Sequence, residues 1–311
     1  DKYQFLSLLD QTINLDEIVP VSFVTHFHAS TGRPRKHPLY PMIKALLIQR
    51  IFSIPTDTLL IIFLKYSQEL RDFCGFRVVP DASKFTRFKQ DFLMDLRSMF
   101  DHMVDITEPI CQKLDPHLAT MTIFDTSGIE ARVTENNPKY ANRIIKQLKA
   151  FAKANNLDKS YDPYKAAYGS MPTHAASNQA IQQMYINGHF CYAYKFGIIT
   201  NGLGIVRDIT FYNKDFLQAH PDIVVEKDLR AYPGVERGST EWEETYKIRV
   251  NVEKSINHFK DSFCVANRKT QNAKTLHADL LLAGIAQLVT VIVADKIHQH
   301  QYIRSLKPLI A

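Results

Sequence analysis

Cysteine and tryptophan are scarce, with four of the first and one of the second in 311 residues. Cys74, Cys111, Cys191 and Cys264 stand far apart, and no two have zinc-ribbon or redox-motif spacing. The expectation is four reduced thiols in a cytoplasmic protein. Apolar runs of membrane length are also missing. The longest apolar segment, "DLLLAGIAQLVTVIVAD", is bounded by Asp279 and Asp295 and falls short of the ~20 residues a span needs. It predicts a buried helix and no membrane partner. No signal-peptide pattern opens the chain, and no repeat recurs along it. Because it begins at Asp1 rather than Met, it is expected to be a segment of a longer protein. Neither sign of charge dominates: 38 Lys and Arg against 32 Asp and Glu give +6. That excess permits an anionic partner without requiring one.

What is present changes character along the chain. Residues 38–93 read as helical. "YPMIKALLIQRIF" places Pro41 in a first turn, and "TDTLLIIFLKYSQELRDF" follows Pro55. In "PDASKFTRFKQDF", Ser83 is the expected N-cap. There Phe85, Phe88 and Phe92 share one face, and Lys84 and Arg87 another. Near residue 118 the pattern turns to strand. "ATMTIFDTSGIEARV" predicts a strand whose C-terminal end presents Asp125. Residues 138–155 predict a two-faced helix, with Ile144, Leu148, Phe151 and Ala152 inward and Arg143, Lys146, Lys149 and Lys153 outward. From Pro138 to Lys165 there are seven basic and two acidic residues, the densest basic stretch, suited to phosphate contact. "DKSYDPYKAAYGSMPTHAASNQ" reads as loop. "GHFCYAYKFGIITNGLGIVRDITFYN" reads as a hairpin turning at Asn201-Gly202.

The stretch "TEWEETYKIRVNVEKSINHFK", residues 240–260, predicts one helix opened by a Thr240/Glu243 capping box. Ile248, Val252, Ile256, Phe259 and Phe263 fall on a core face. Tyr246, Arg249, Glu253 and Lys260 form a second stripe beside it, while Lys254, Asn257 and His258 point to water. By itself such a stripe is an ordinary set of boundary ion pairs. A second carboxylate changes that, and Asp125 supplies one. Two acids meeting between a strand and a helix can hold divalent metal through oxygen ligands.

The pattern Tyr246-x2-Arg249-x3-Glu253-x6-Lys260 resembles the YREK signature of bacterial insertion-sequence transposases with a DDE catalytic triad. "TIFDTSGIEA" resembles that family's first-strand motif, with Asp125 as its first acid. "HPLYPMIKALLIQRIF" and "PDASKFTRFKQDF" resemble its helical N-terminal region. The resemblance implies an α/β (α+β) fold: an RNase H-like mixed sheet flanked by helices behind an N-terminal helical region. It implies a helical DNA-binding or dimerisation region over 1–115 and a catalytic domain over 116–311. It further implies Mg²⁺ or Mn²⁺ on Asp125 and Glu253, with Tyr246, Arg249 and Lys260 on DNA phosphates. Transposon inverted-repeat ends and target DNA are the implied partners of a homodimer.

One part of the pattern is missing. The family places a second Asp after a later strand, and only 27 residues separate Tyr212 from Thr240. Asp215, Asp222 and Asp228 lie there, none after a convincing strand. An internal deletion near Lys227-Asp228, an incomplete sheet and weakened chemistry are therefore expected. The alternative is a DNA-binding remnant without catalysis. His298 and His300 read as a solvated helix end, and Trp242 as a packing anchor.

Overall fold

The structure, a computed structural model, describes residues 4–28, 35–158, 160–186, 188–212, 236, 238–267 and 272–310. The fold is α+β, as the sequence predicts, with a five-stranded sheet among many helices; the expected sheet is mixed, whereas every pairing among the described strands is antiparallel. The helical reading of 38–93 holds, with helices Leu39–Ile51, Asp57–Tyr66, Gln68–Cys74 and Ala82–Asp91. A long helix, Leu93–Leu114, then leads to the sheet. Phe85, Phe88 and Phe92 are buried, while Lys84 and Arg87 are exposed. The N-cap of Ala82–Asp91 is Asp81 rather than Ser83. The Asp81 carboxylate accepts from the Lys84 amide at 3.2 Å and from the Ser83 hydroxyl, so Ser83 serves the cap indirectly.

The strands are β1 (Ile123–Glu130), β2 (His174–Ala175), β3 (Asn178–Ile186), β4 (His189–Thr200) and β5 (Val206–Tyr212). β4 is the spine. β1 lies along one edge of it, from Ile123↔Thr200 to Glu130↔Ala193, and β3 and β5 share the other. The predicted hairpin is β4–β5. The stretch read as loop instead contains the helix Pro163–Ser170, the strand β2 and the start of β3. Tertiary pairing overrides the weak local signal of "NQAIQQMYI". Asp125 is the third residue of eight in β1, not its end, because pairing with β4 continues to Glu130.

The predicted apolar helix, Ala273–Lys296, is the axis of the core. At 24 residues it is longer than the run read from the sequence, and long and apolar enough to cross a membrane, but 94% of its most apolar stretch is buried by the rest of the protein. It packs on Leu93–Leu114, Leu39–Ile51, Ala82–Asp91 and β5. Each Leu, Ile or Val so enclosed contributes about 1.5–3 kcal/mol of transfer free energy. A buried ion cluster pins the same elements. The Lys89 ammonium reaches Asp57 and Asp279 at 3.0 Å each. Arg50 pairs with Asp279 and donates to the Phe263 carbonyl at 3.0 Å. That last bond, with Ser53 Oγ donating to the Ser262 carbonyl at 2.6 Å, ties the N-terminal helices to the segment after Glu253.

The helix Pro138–Ala154 matches its prediction in span. Arg143, Lys146, Lys149 and Lys153 are exposed. Its inward side differs: Ile145 is buried, whereas Phe151 is 54% exposed. With few elements packed on this helix, its apolar face is only partly covered. Asp215, Asp222, Asp228 and the Lys227-Asp228 junction lie outside the described residues.

Candidate functional site

Alternation along β1 places Asp125 on the same side as Ile123 and Ile129, both buried. A carboxylate on a core-facing side needs polar partners. Asp125 Oδ1 accepts from the Thr126 amide at 2.8 Å and faces Arg249 Nη2 at 3.8 Å.

Arg249 comes from the predicted helix, which the structure divides into three segments. Thr240–Ile248 and Val250–Asn257 are α-helical, and His258–Ser262 is a π-helical turn. Ser239, not Thr240, caps the first, its hydroxyl accepting from the Trp242 amide at 3.1 Å. Around Arg249 the backbone bonds shorten to three-residue spacing: Arg249 N to Tyr246 O and Val252 N to Arg249 O, both 3.1 Å. The direction of the chain is kept, since Arg249 stays right-handed at φ −54° and ψ −30°. The core face is as predicted: Val252, Ile256, Phe259 and Phe263 are buried and Ile248 packs against them.

The β4–β5 turn sets where this helix lies. Asn251 Nδ2 donates to the Gly202 carbonyl at 2.7 Å, and Ser255 Oγ donates to the Gly204 carbonyl at 2.5 Å. Gly204 has φ +76°, and a Cβ there would stand 3.3 Å from Asn251. Gly202 is pressed from the other side, where a Cβ would meet the Leu118 carbonyl at 2.9 Å. The turn is thus a wedge between the approach to β1 and the helix carrying Glu253.

Within this frame Arg249 bridges the two predicted acids. Its Nη1 lies 3.7 Å from Glu253 Oε1 and donates to the Tyr246 hydroxyl at 3.0 Å. Trp242 stacks on Tyr246 with centroids 4.7 Å apart and planes at 12°, which fixes the phenol. Burial opposes the Arg249 charge. The Tyr246 hydroxyl and the carboxylates of Asp125 and Glu253 outweigh it and raise its pKa above the ordinary guanidinium value. Asp125, Arg249 and Glu253 keep side-chain exposures of 25%, 34% and 48%, so the group is open to a ligand.

The structure brings Asp125, Tyr246, Arg249 and Glu253 together, and Lys260 goes elsewhere. It lies in the π-helical turn, and the groups acting on its ammonium are Asp261 and Cys191. Burial lowers its pKa against both. His258, expected in water, is largely enclosed and edge-on to Phe263 at 4.4 Å. Burial, with Lys307 nearby, lowers its pKa to about 4. Arg143, Lys146, Lys149, Lys153, Lys84 and Arg87 are surface residues on two other helices. Among the described residues no hydrogen bond or ion pair joins them to the Asp125–Arg249–Glu253 group. Lys149 donates to the Tyr164 hydroxyl at 2.9 Å, and Arg143 stands 5.5 Å from the Tyr140 ring centroid. His300 pairs with Asp295 at 3.1 Å.

The sequence reading missed the Arg50–Lys89–Asp57–Asp279 cluster. It also missed a group at the far end of β1, where Glu130, His189 and Cys191 bring their ligand atoms within 4.8 Å of one another. The available signal for the latter was His189-x-Cys191 in a strand, since residues two apart project to the same side.

Residues 1–91 match the model of a family described as a transposase domain (DUF772). The match takes in the helices up to Asp91, less than a third of the chain, and ends before Asp125. No curated protein and no solved structure matches the chain. The N-terminal region is therefore similar to a transposase domain.

Proposed function

We propose that this chain is a DNA transposase of the DDE class with an RNase H-like core, in which Asp125 and Glu253 are the metal-binding pair. The carrying observation is the convergence of those two carboxylates, 128 positions apart, on one guanidinium. The transposase-domain likeness of residues 1–91 supports the reading independently. So does the strand order β1–β4–β5, an antiparallel run with its acid on the first strand.

The donor chemistry fits a hard divalent cation. Two half-open carboxylates suit Mg²⁺ or Mn²⁺, which commonly take one or two protein oxygens and leave the rest to water and phosphate. When bound, such an ion would activate a water or 3′-hydroxyl and stabilise the leaving oxygen of a phosphodiester. The chain's own residues then have separate work. Asp125 and Glu253 supply the ligands. Arg249 neutralises them in the free protein and turns to a DNA phosphate when a cation takes its place. Tyr246, held by Trp242, orients that guanidinium. Lys260 and the exposed face of Pro138–Ala154 contact phosphates further along the strand, as do Lys84 and Arg87. A homodimer on two inverted-repeat ends and on target DNA completes the proposal, with Phe63 and Tyr66, 44% and 87% exposed, available for pairing.

An internal deletion near Lys227-Asp228 would remove the second Asp and leave weak nuclease chemistry. Two acids can hold one ion, whereas a two-metal clamp needs a shared ligand. Cleavage of supercoiled plasmid with Mg²⁺ or Mn²⁺ is expected to be slow and to vanish in Asp125→Ala and Glu253→Ala. Cleavage as slow in those variants as in the parent chain would refute the assignment of the pair. Vigorous cleavage that both variants abolish would instead refute the deletion.

The second reading is a DNA-binding remnant. It is favoured by the same guanidinium, which already neutralises both carboxylates. Salt-dependent DNA binding that Lys146→Ala/Lys149→Ala/Lys153→Ala weakens, and that neither metal nor Glu253→Gln alters, would select it. For every lysine that neutralises a phosphate, its removal should make the slope of log affinity against log salt shallower by about 0.9.

A further inference from the structure

Five residues along β1 from Asp125, on the other side of the strand, stands a different ligand set. His189 and Cys191 are two apart on β4 and project together. Glu130, paired with Ala193, projects to that side as well. His189 Nε2 lies 3.8 Å from Glu130 Oε2, and the three ligand atoms fall within 4.8 Å of one another. We infer that Glu130, His189 and Cys191 form a binding site for a borderline-soft divalent cation of the zinc class. This site does not rest on the transposase reading.

The donor set decides the metal. Thiolate, imidazole and carboxylate together suit Zn²⁺ or Co²⁺, whereas Mg²⁺ takes oxygen alone. Zinc bonds of 2.0–2.3 Å put neighbouring ligand atoms roughly 3.5 Å apart around a tetrahedron. The His189–Glu130 separation already meets that. Closing the rest needs a shift of roughly 1 Å, within the rotamer freedom of two exposed side chains. Cys191 is the fixed point, being 4% exposed on the central strand. Burial, then the Glu130 charge, push its thiol pKa up to about 11, against the pull of Lys260. A thiol ligand gives up its proton to the cation it binds. The group borders a cavity of about 340 Å³ also lined by Glu135, Asn136 and Gln183, which gives an ion a route in and leaves the fourth position to water. Three ligands and an open place would clasp the end of β1 to the start of β4.

The test is Co²⁺ titration of the chelator-stripped full chain, read by the thiolate-to-cobalt absorption, with Zn²⁺ as displacing ion. One equivalent should develop the band, and Zn²⁺ should remove it and raise the melting temperature. Cys191→Ser should abolish the band. His189→Ala and Glu130→Gln should weaken binding by about tenfold or more. Asp125→Ala should leave it intact, which separates this site from the carboxylate pair. Absence of a thiolate band, or a band that survives Cys191→Ser in a variant with an unchanged circular dichroism spectrum, would overturn the inference.

Discussion

Lys89 and Arg249 each stand between two carboxylates, and their surroundings differ. Lys89 bridges Asp57 and Asp279 at 3.0 Å with no exposure. Arg249 bridges Asp125 and Glu253 at 3.7–3.8 Å with a third of its side chain in solvent. The first bridge is enclosed by the helices it joins, so bulk water cannot stand in for either partner. The second is longer, wetter and exchangeable. Similar chemistry is locked in the core in one place and open to solvent in the other, and burial makes the difference.

The largest test of that contrast is Asp279→Ala. It takes a shared carboxylate from two buried cations and should lower stability by about 3–5 kcal/mol, measured by urea unfolding. A loss under about 1 kcal/mol would put the cluster on a par with an exposed surface pair.

The next test lies in the segment between the two regions. His258 has a folded pKa of about 4 against 6.5 for an ordinary imidazole. Below pH 6.5 the unfolded chain takes the proton while the folded chain refuses it down to about pH 4. Its contribution is therefore complete above pH 6.5, falls as pH drops to about 4, and is constant below that. His258→Gln should flatten this part of the stability profile. An unaltered profile would show that the ring titrates in water.

A smaller effect is expected at Arg249. Removing the guanidinium in Arg249→Ala should raise Mn²⁺ affinity at the carboxylate pair severalfold, followed by electron paramagnetic resonance, because the charge that bridges the two acids is gone. Unchanged affinity would show that the cation does not occupy the metal's place. Smallest of all should be the stability change in Glu253→Gln, under about 1 kcal/mol for an exposed pair. A change several times larger would make this bridge structural too.

What could be read beforehand follows from how local each signal is. The core face of the Glu253 helix, Val252 to Phe263, was legible because helical periodicity is written within a few turns. The β4–β5 hairpin was legible because Asn201-Gly202 sits between two β-branched runs. The pairing of Asp125 with Glu253 could be suggested from a strand and a helix each presenting an acid, and resemblance to a family strengthened it. Strand β3 was missed because Gln and Asn carry little strand signal and its pairing with β4 supplies the rest. The Lys89 cluster was illegible, since its partners stand 32 and 190 positions away in the chain and none belongs to a motif. Lys260 fell off its stripe because the π-helical turn breaks the period on which the stripe depends. Cap positions shifted by one or two residues where neighbouring Asp81 and Ser239 offered a better acceptor.

The glycine turn between β4 and β5 gives the carboxylate pair its gauge. Glu253 is borne by a helix fastened through Asn251 and Ser255 to the carbonyls of Gly202 and Gly204, neither of which belongs to the pair. The spacing of the two carboxylates is therefore metered from outside. A side chain added at residue 204, or one residue inserted in the turn, would slide one jaw past the other while leaving every ligand in the sequence untouched.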